Sequence, residues 1–339
     1  MDTQTTAIVK ELLSETKKIV IVGHKNPDAD AIGSCLGLSE FLKTQGHVAT
    51  VLMPNTFPDF LKWMPGSENI LTYDQQPEQC EKFIDEAQVI FTLDFNALNR
   101  VGDLETPLKS AKAEFVMIDH HQQPDSYPVA TYSDTSMSST CEMVYHFIDA
   151  LEQLDSLSET IATNLYTGIM TDTGSFRFSS TSATTHRVIA DLIDHGAVNN
   201  VIHESIYDTN SPDRMTLLGV ALKNLTILPE YKTAFISLSQ KELDDNNFKK
   251  GDTEGFVNYA LSIQGIIFAV IFIENKQENI VKMSLRSKGN FSVNEFARTY
   301  YNGGGHTNAA GGRSTKPLDD TITEFISILP HHKDALVNA

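Results

Sequence analysis

Short β-branched apolar runs alternate with segments of helical spacing through the first half of the chain. Lys18 to Gly23 (KIVIVG), His47 to Met53 (HVATVLM), Gln88 to Phe95 (QVIFTLDF) and Ala113 to Asp119 (AEFVMID) read as buried strands. Between the first two, Asp30 to Gln45 spaces Ile32, Leu36, Leu38 and Leu42 as a helix does, and Gly46 stands just past its end. Glu78 to Ala87 and Asn96 to Lys112 fill the later gaps with helical patterns. Strands alternating with helices predict an α/β fold, a doubly wound and mostly parallel sheet with helices on both faces.

From Ser138 to Leu228 the pattern turns mostly helical. Ser139-Thr140-Cys141-Glu142 and Ser156-Leu157-Ser158-Glu159 match the capping-box spacing, and Ser211-Pro212 reads as an N-cap followed by proline at the first helical position. Beyond it, Thr233–Leu238, Ile266–Ile273 and Val281–Leu285 read as strands, with helices near Thr253–Leu261 and Val293–Tyr300. That is a smaller mixed α/β domain. Single cores stop growing at about 250–300 residues, so 339 residues favour two domains. The expected division is 1–195 for the first, 196–228 as a helical linker and 229–339 for the second, with a frayed tail after Pro330.

Composition narrows the class. The longest apolar stretch, Gly265 to Ile273, is far short of the roughly 20 residues that cross a bilayer. No basic start or long apolar run marks a signal peptide. Three cysteines, Cys35, Cys80 and Cys141, form no close pair, which fits a reduced cytoplasm better than a disulfide framework. A formal charge of −18 argues against broad binding to long duplex nucleic acid, while leaving room for a small anionic substrate if cations gather locally.

The candidate chemistry lies at strand ends. His24, Asp28 and Asp30 follow the first strand in HKNPDAD, where open α/β sheets place their ligands. A polar loop with Asp30 capping the next helix explains the same residues as well. Asp94 emerges where the apolar run of its strand stops, and the next strand ends in Asp119-His120-His121. Capping explains one or two such endings; three at one sheet edge favour a shared metal site. Asp172, in TDTGSFRF, reads on its own as a helix-end turn residue.

These residues together resemble the DHH phosphoesterase superfamily. The motifs are GHKNPDADAIGS, FTLDFN, IDHH and GIMTDTGSFRF in order, followed by SLRS and GGGHTNAAGG of a DHHA1-like domain. The layout is similar to stand-alone, NrnA-type proteins, oligoribonucleases and pAp phosphatases. The resemblance implies one metal on His24, Asp28 and Asp94 and a second on Asp30, Asp94, His120 and Asp172. Asp119 would orient the histidines and His121 would lie against the scissile phosphate. Carboxylates mixed with imidazole and no thiolate suit Mn²⁺, or Mg²⁺, better than zinc. Two such ions about 3.5–4 Å apart can share a bridging hydroxide as nucleophile.

On the substrate side, Gly303, Gly304, Gly305 and His306 read as a flexible turn or as an anion-binding run, and the resemblance favours phosphate. Arg286 offers a planar fork suited to phosphate. With these, the active site is expected in a cleft between the domains, taking a small nucleotide or very short RNA; a homodimer is compatible. Ser138, Ser139 and Thr140 are explained by capping as well as by hydroxyls offered to a nucleotide, and Arg177 by phosphate binding or surface pairing. Rival readings are a cyclic or linear dinucleotide phosphodiesterase and, from another class, a non-catalytic nucleotide sensor.

Overall fold

The computed structural model describes residues 1–339, which form two compact units, Met1–Thr209 and Asn210–Ala339. In the first, strands β1 (Lys18–Val22), β2 (Val48–Met53), β3 (Leu71–Thr72), β4 (Val89–Leu93), β5 (Glu114–Asp119) and β6 (Ala130–Ser133) make one sheet. All its pairings are parallel, in the order β3-β2-β1-β4-β5-β6. The alternation inside β1 shows why helices cover both faces. Ile19 and Ile21 point into one core with Phe91 and Ile118, whereas Val20 and Val22 join a second with Ile90 and Leu104. The order reverses between β1 and β4, which is the switch point where such sheets open a crevice at their carboxyl ends.

The helices of this unit are α1 (Thr3–Leu12), α2 (Ala29–Thr44), α3 (Pro77–Glu86), α4 (Glu105–Ser110), α5 (Thr140–Ala150), α6 (Glu159–Asp172), α7 (Ala183–Asp194) and α8 (Asn199–Tyr207). Helix α2 is buried along nearly its whole length against α5 and α6. Such close approach needs small residues. A Cβ on Gly33 would stand 2.5 Å from the Asn164 carbonyl oxygen, and one on Gly37 2.7 Å from Leu165 Cδ2.

The second unit holds a mixed sheet in the order β11-β12-β10-β9-β8-β7, built from β7 (Thr226–Leu228), β8 (Thr233–Leu238), β9 (Phe268–Asn275), β10 (Ile280–Ser287), β11 (Gly304–Gly305) and β12 (Ala309–Ser314). Only β8 and β9 pair in parallel. Helices α9 (Pro212–Lys223), α10 (Gln240–Asp245), α11 (Phe256–Leu261), α12 (Val293–Tyr300), α13 (Leu318–Ile328) and α14 (Lys333–Asn338) accompany it. Period-two alternation again serves two cores: Phe268, Val270 and Phe272 on one face, Ala269 and Ile271 on the other. No helix of either unit is long and apolar enough to cross a membrane.

Three local readings change. The tail after Pro330 is ordered as α14, because Leu336 is fully buried in the second unit's core. Ser158, not Ser156, caps α6, accepting from the Ile161 amide. The stretch 196–228 is divided, with α8 in the first unit and α9 in the second.

Candidate metal centre

The turn after β1 is built to aim His24. Its Nδ1 lies 3.0 Å from the Lys25 carbonyl oxygen, which occupies that nitrogen and turns Nε2 toward the carboxylates. Nε2 is 3.3 Å from Asp94 Oδ2 and 3.9 Å from Asp28 Oδ1. Asp28, rather than Asp30, is the N-cap of α2: its Oδ1 accepts from the amides of Asp30 and Ala31, both at 3.1 Å. Asp30 is thereby released from capping and faces inward, almost fully buried.

Asp94 takes the left-handed conformation (φ 63°) as its strand ends. Asp tolerates that region better than most side chains. Its amide still donates to the Ile118 carbonyl at 3.2 Å, so the backbone stays tied to the sheet edge while the carboxylate turns into the crevice. From β5, His120 sets Nε2 3.5 Å from Asp94 Oδ1, 3.5 Å from Asp172 Oδ2 and 3.8 Å from Asp30 Oδ2. His121 is held by Asp119, which is fully buried and accepts from the His121 amide at 3.0 Å and meets Nδ1 at 2.8 Å. Asp172, the last residue of α6, reaches the same place from a different element.

The structure thus collects all eight first-unit residues picked out from the sequence. Donor atoms of His24, Asp28 and Asp94 lie within 4.8 Å of one another, as do those of Asp30, His120 and Asp172. Asp94 faces both sets through its two oxygens. Five carboxylates crowd three imidazoles in a largely buried crevice. Such crowding calls for positive charge, and oxygen and imidazole donors without thiolate fit a divalent cation of the Mn²⁺ or Mg²⁺ kind. Cys141 Sγ turns to backbone carbonyls instead, so the thiol stays out of the donor set.

Protons carry part of that positive charge when no cation is bound. Burial works against a charged His24, but its bond to Asp94 and the charges of Asp28 and Asp94 raise it to about 9. Burial likewise opposes charge on Asp94, yet bonds from His120 and His24 hold it well below the usual carboxylate range. Burial and the charges of Asp94 and Asp172 push Asp30 well up. Burial, with the charges of Asp28 and Asp94, takes Asp172 to about 6 against the opposing pull of His120. In the metal-free fold the His24 proton is therefore bound from its ordinary 6.5 up to about 9, and its stabilisation is complete below 6.5 and lost as pH rises through 9. A cation needs the neutral ring. At pH 7.5, Mn²⁺ binding should release a proton, and its affinity should climb with pH until about 9. Calorimetric titration in buffers of different ionisation enthalpy checks this; an enthalpy independent of buffer would contradict it.

Ser138, Ser139 and Thr140, open to capping or to nucleotide binding, take three different partners. Ser139 is the cap, its Oγ accepting from Glu142 N at 3.0 Å. The Thr140 hydroxyl donates elsewhere, to Asp94 Oδ1 at 3.0 Å. Ser138 is taken up by the buried Glu142 carboxylate, which also accepts from Thr185 Oγ1 at 3.1 Å. Arg177 is exposed and donates from Nε to the Gly174 carbonyl at 2.8 Å, next to a half-buried turn whose Gly174, Ser175 and Phe176 are all left-handed.

In the second unit, Arg286 sits opposite Ala309 in the β10–β12 register, and the His306 amide donates to the Ala309 carbonyl at 2.7 Å. Both residues therefore belong to the same end of that sheet. The glycines beside them have a packing reason of their own. A Cβ on Gly303 would overlap the Gly311 carbonyl oxygen, and one on Gly305 (φ 148°) the Ala309 carbonyl oxygen. A Cβ on Gly304 would meet only the Arg298 and Asn294 side chains, at ordinary contact distance.

A doubly wound sheet that gathers acids and imidazoles at its switch point, followed by a smaller mixed-sheet unit, is the architecture of a metal-binding α/β enzyme. Family models agree: that of the DHH family, N-terminal domain, matches residues 18–169, and that of the DHHA1 domain matches residues 231–330. The chain belongs to the DHH family. It is 31% identical to the bifunctional oligoribonuclease and PAP phosphatase NrnA of Thermus thermophilus, over 92% of this chain and 89% of that protein. Identity to the Bacillus subtilis protein of the same description is 28%, over 93% and 96% of the two chains. Among solved structures, an exopolyphosphatase-related protein from Bacteroides fragilis is 39% identical and superposes with a TM-score of 0.95, covering 99% of this chain and 98% of its own.

Proposed function

We propose that this hydrolase cleaves terminal phosphoester bonds of small nucleotides, short oligoribonucleotides or 3′-phosphoadenosine 5′-phosphate. The observation that carries the reading is the pair of donor sets at the switch point of the parallel sheet, with Asp94 set between them, one oxygen 3.3 Å from His24 and the other 3.5 Å from His120. The near full-length likeness to two oligoribonuclease and PAP phosphatase proteins supports the substrate class.

In this reading His24, Asp28 and Asp94 hold one divalent cation, Mn²⁺ by preference, and Asp30, Asp94, His120 and Asp172 hold the other. When bound, two such ions supply Lewis-acid polarisation of a phosphoryl oxygen and a lowered pKa for water. The protein's own groups do the rest. The Lys25 carbonyl and Asp119 fix the rings of His24 and His121, which removes the need to reorganise them during reaction. His121, its ring oriented by Asp119 through Nδ1, is the side chain set against the scissile phosphate. Hydrolysis then forms one P–O bond from water and breaks the ester P–O bond, with a proton passing to the leaving oxygen. No side chain is consumed as a nucleophile.

Arg286 and His306 take the substrate's non-scissile phosphate in this account. Their alanine variants should raise KM for 3′-phosphoadenosine 5′-phosphate by about 10–150-fold each, the loss of a charge-assisted hydrogen bond worth about 1.5–3 kcal/mol. Unchanged KM and kcat in both would refute that assignment.

A panel of substrates tests the function as a whole. Purified protein with Mn²⁺ is compared by kcat/KM on 3′-phosphoadenosine 5′-phosphate, di- to pentaribonucleotides, cyclic dinucleotides and pyrophosphate. Preference for the first two groups supports the reading. Preference for cyclic dinucleotides would replace it, and no turnover on any of them, with or without chelator, would favour a nucleotide sensor.

A further inference from the structure

Helix α5 begins against the metal centre, and its first two residues touch both carboxylates that the two donor sets depend on. The Thr140 amide donates to Asp30 Oδ2 at 2.7 Å and the Cys141 amide to Asp30 Oδ1 at 2.9 Å. These are first-turn amides with no partner inside the helix, and they favour an anion at that end. Both Asp30 oxygens are thus held by the backbone of one helix terminus, leaving each a further lone pair. Thr140 also sends its hydroxyl to Asp94 Oδ1 at 3.0 Å, and its side chain is fully buried.

Helix capping does not account for that hydroxyl. Ser139 already caps α5 through its own Oγ. Nor does the backbone of Asp94 fix its side chain, since the residue is left-handed at a strand end and bonded there only through its amide. Oδ2 faces His24 and Oδ1 faces His120. A donor on Oδ1 that is not a ligand pins the rotation of the carboxylate about its last bond. Without it, the carboxylate could turn to favour one histidine over the other.

We propose that Thr140 is a positioning residue whose hydroxyl, together with the α5 amides on Asp30, sets Asp94 so that one carboxylate can serve two cations. This rests on the two-cation reading of the centre. Thr140 touches neither substrate nor reacting atoms in this account; it acts through Asp94. Valine keeps the shape of threonine and removes only the donor.

The test measures Mn²⁺ binding to the metal-stripped full chain by electron paramagnetic resonance of free Mn²⁺, with thermal melts of each metal-free protein alongside. T140V should bind Mn²⁺ about 10–100-fold more weakly than wild type, the usual effect of removing an outer partner of a metal ligand. T140S, which keeps the hydroxyl, should bind as wild type does. S139A, which removes the cap, should melt lower and still bind as wild type does. T140A carries the same expectation as T140V and replaces it if valine prevents folding. Wild-type affinity in T140V overturns the proposal, as does equal weakening in T140S or S139A. Wild-type protein that binds no Mn²⁺ would remove the metal reading, and this inference with it; wild-type binding with T140V unchanged overturns this inference alone.

Discussion

Asp94→Asn is expected to lower kcat/KM on its phosphoester substrate by about 10³-fold or more, the most damaging single change in the chain. The estimate follows from about 4 kcal/mol of lost transition-state stabilisation, the scale of Lewis-acid charge neutralisation, at 1.36 kcal/mol per factor of ten. The geometry explains why this position outranks its neighbours. Asp94 alone reaches both donor sets, with Oδ2 3.3 Å from His24 and Oδ1 3.5 Å from His120. An amide is neutral and carries two N–H donors on one side, so at least one of the atoms now facing His24, His120 or Thr140 would meet a donor instead of an acceptor. Steady-state kinetics at saturating Mn²⁺ measures the effect. Near-normal turnover would mean that no carboxylate is shared.

The second large effect concerns packing rather than chemistry. Gly168, in the middle of α6, faces the start of α2 and α5, and a Cβ there would overlap Cys141 Sγ and stand 2.9 Å from Asp30 Oδ1. Those neighbours cannot yield cheaply. Cys141 is fully buried, and Asp30 is fixed by two amides of α5. Gly168→Ala should therefore cost about 1–3 kcal/mol by overpacking, against the modest gain in helix propensity that alanine ordinarily brings. For a unit of this size that lowers Tm by about 2–12 °C. Because the displaced atoms include a metal-centre carboxylate, Mn²⁺ affinity should fall with it. Thermal melts with and without Mn²⁺ read both effects; a Tm at or above wild type would show that α6 can shift away freely.

The parts of this account that were legible in the sequence share one property. β1, β4 and β5 are apolar runs that stop abruptly in His or Asp, and a parallel sheet must place such endings along one edge. His24, Asp94, His120 and His121 could be read that way. Thr140 could not, because a hydroxyl beside an N-cap serine has the same sequence signature whether it caps or reaches across to another strand. The helix glycines were silent for a similar reason. Gly33, Gly37 and Gly168 look like weak positions in a helical pattern, and only the approach of α2 to α5 and α6 reveals what they allow. Gly303 and Gly305 were read through anion binding, while the structure gives them a contact with the β12 backbone that no side chain could share. The tail after Pro330 misled because Leu336, His332 and Ala339 dock on residues far from them in sequence.

Two divalent ions at one rim of the parallel sheet are the premise of the whole mechanism. Crystals soaked in Mn²⁺ and measured at the manganese absorption edge would locate them directly. The account predicts two anomalous peaks about 3.5–4 Å apart, one beside His24, Asp28 and Asp94 and the other beside Asp30, His120 and Asp172. A single peak, or manganese bound only away from these residues, would contradict it.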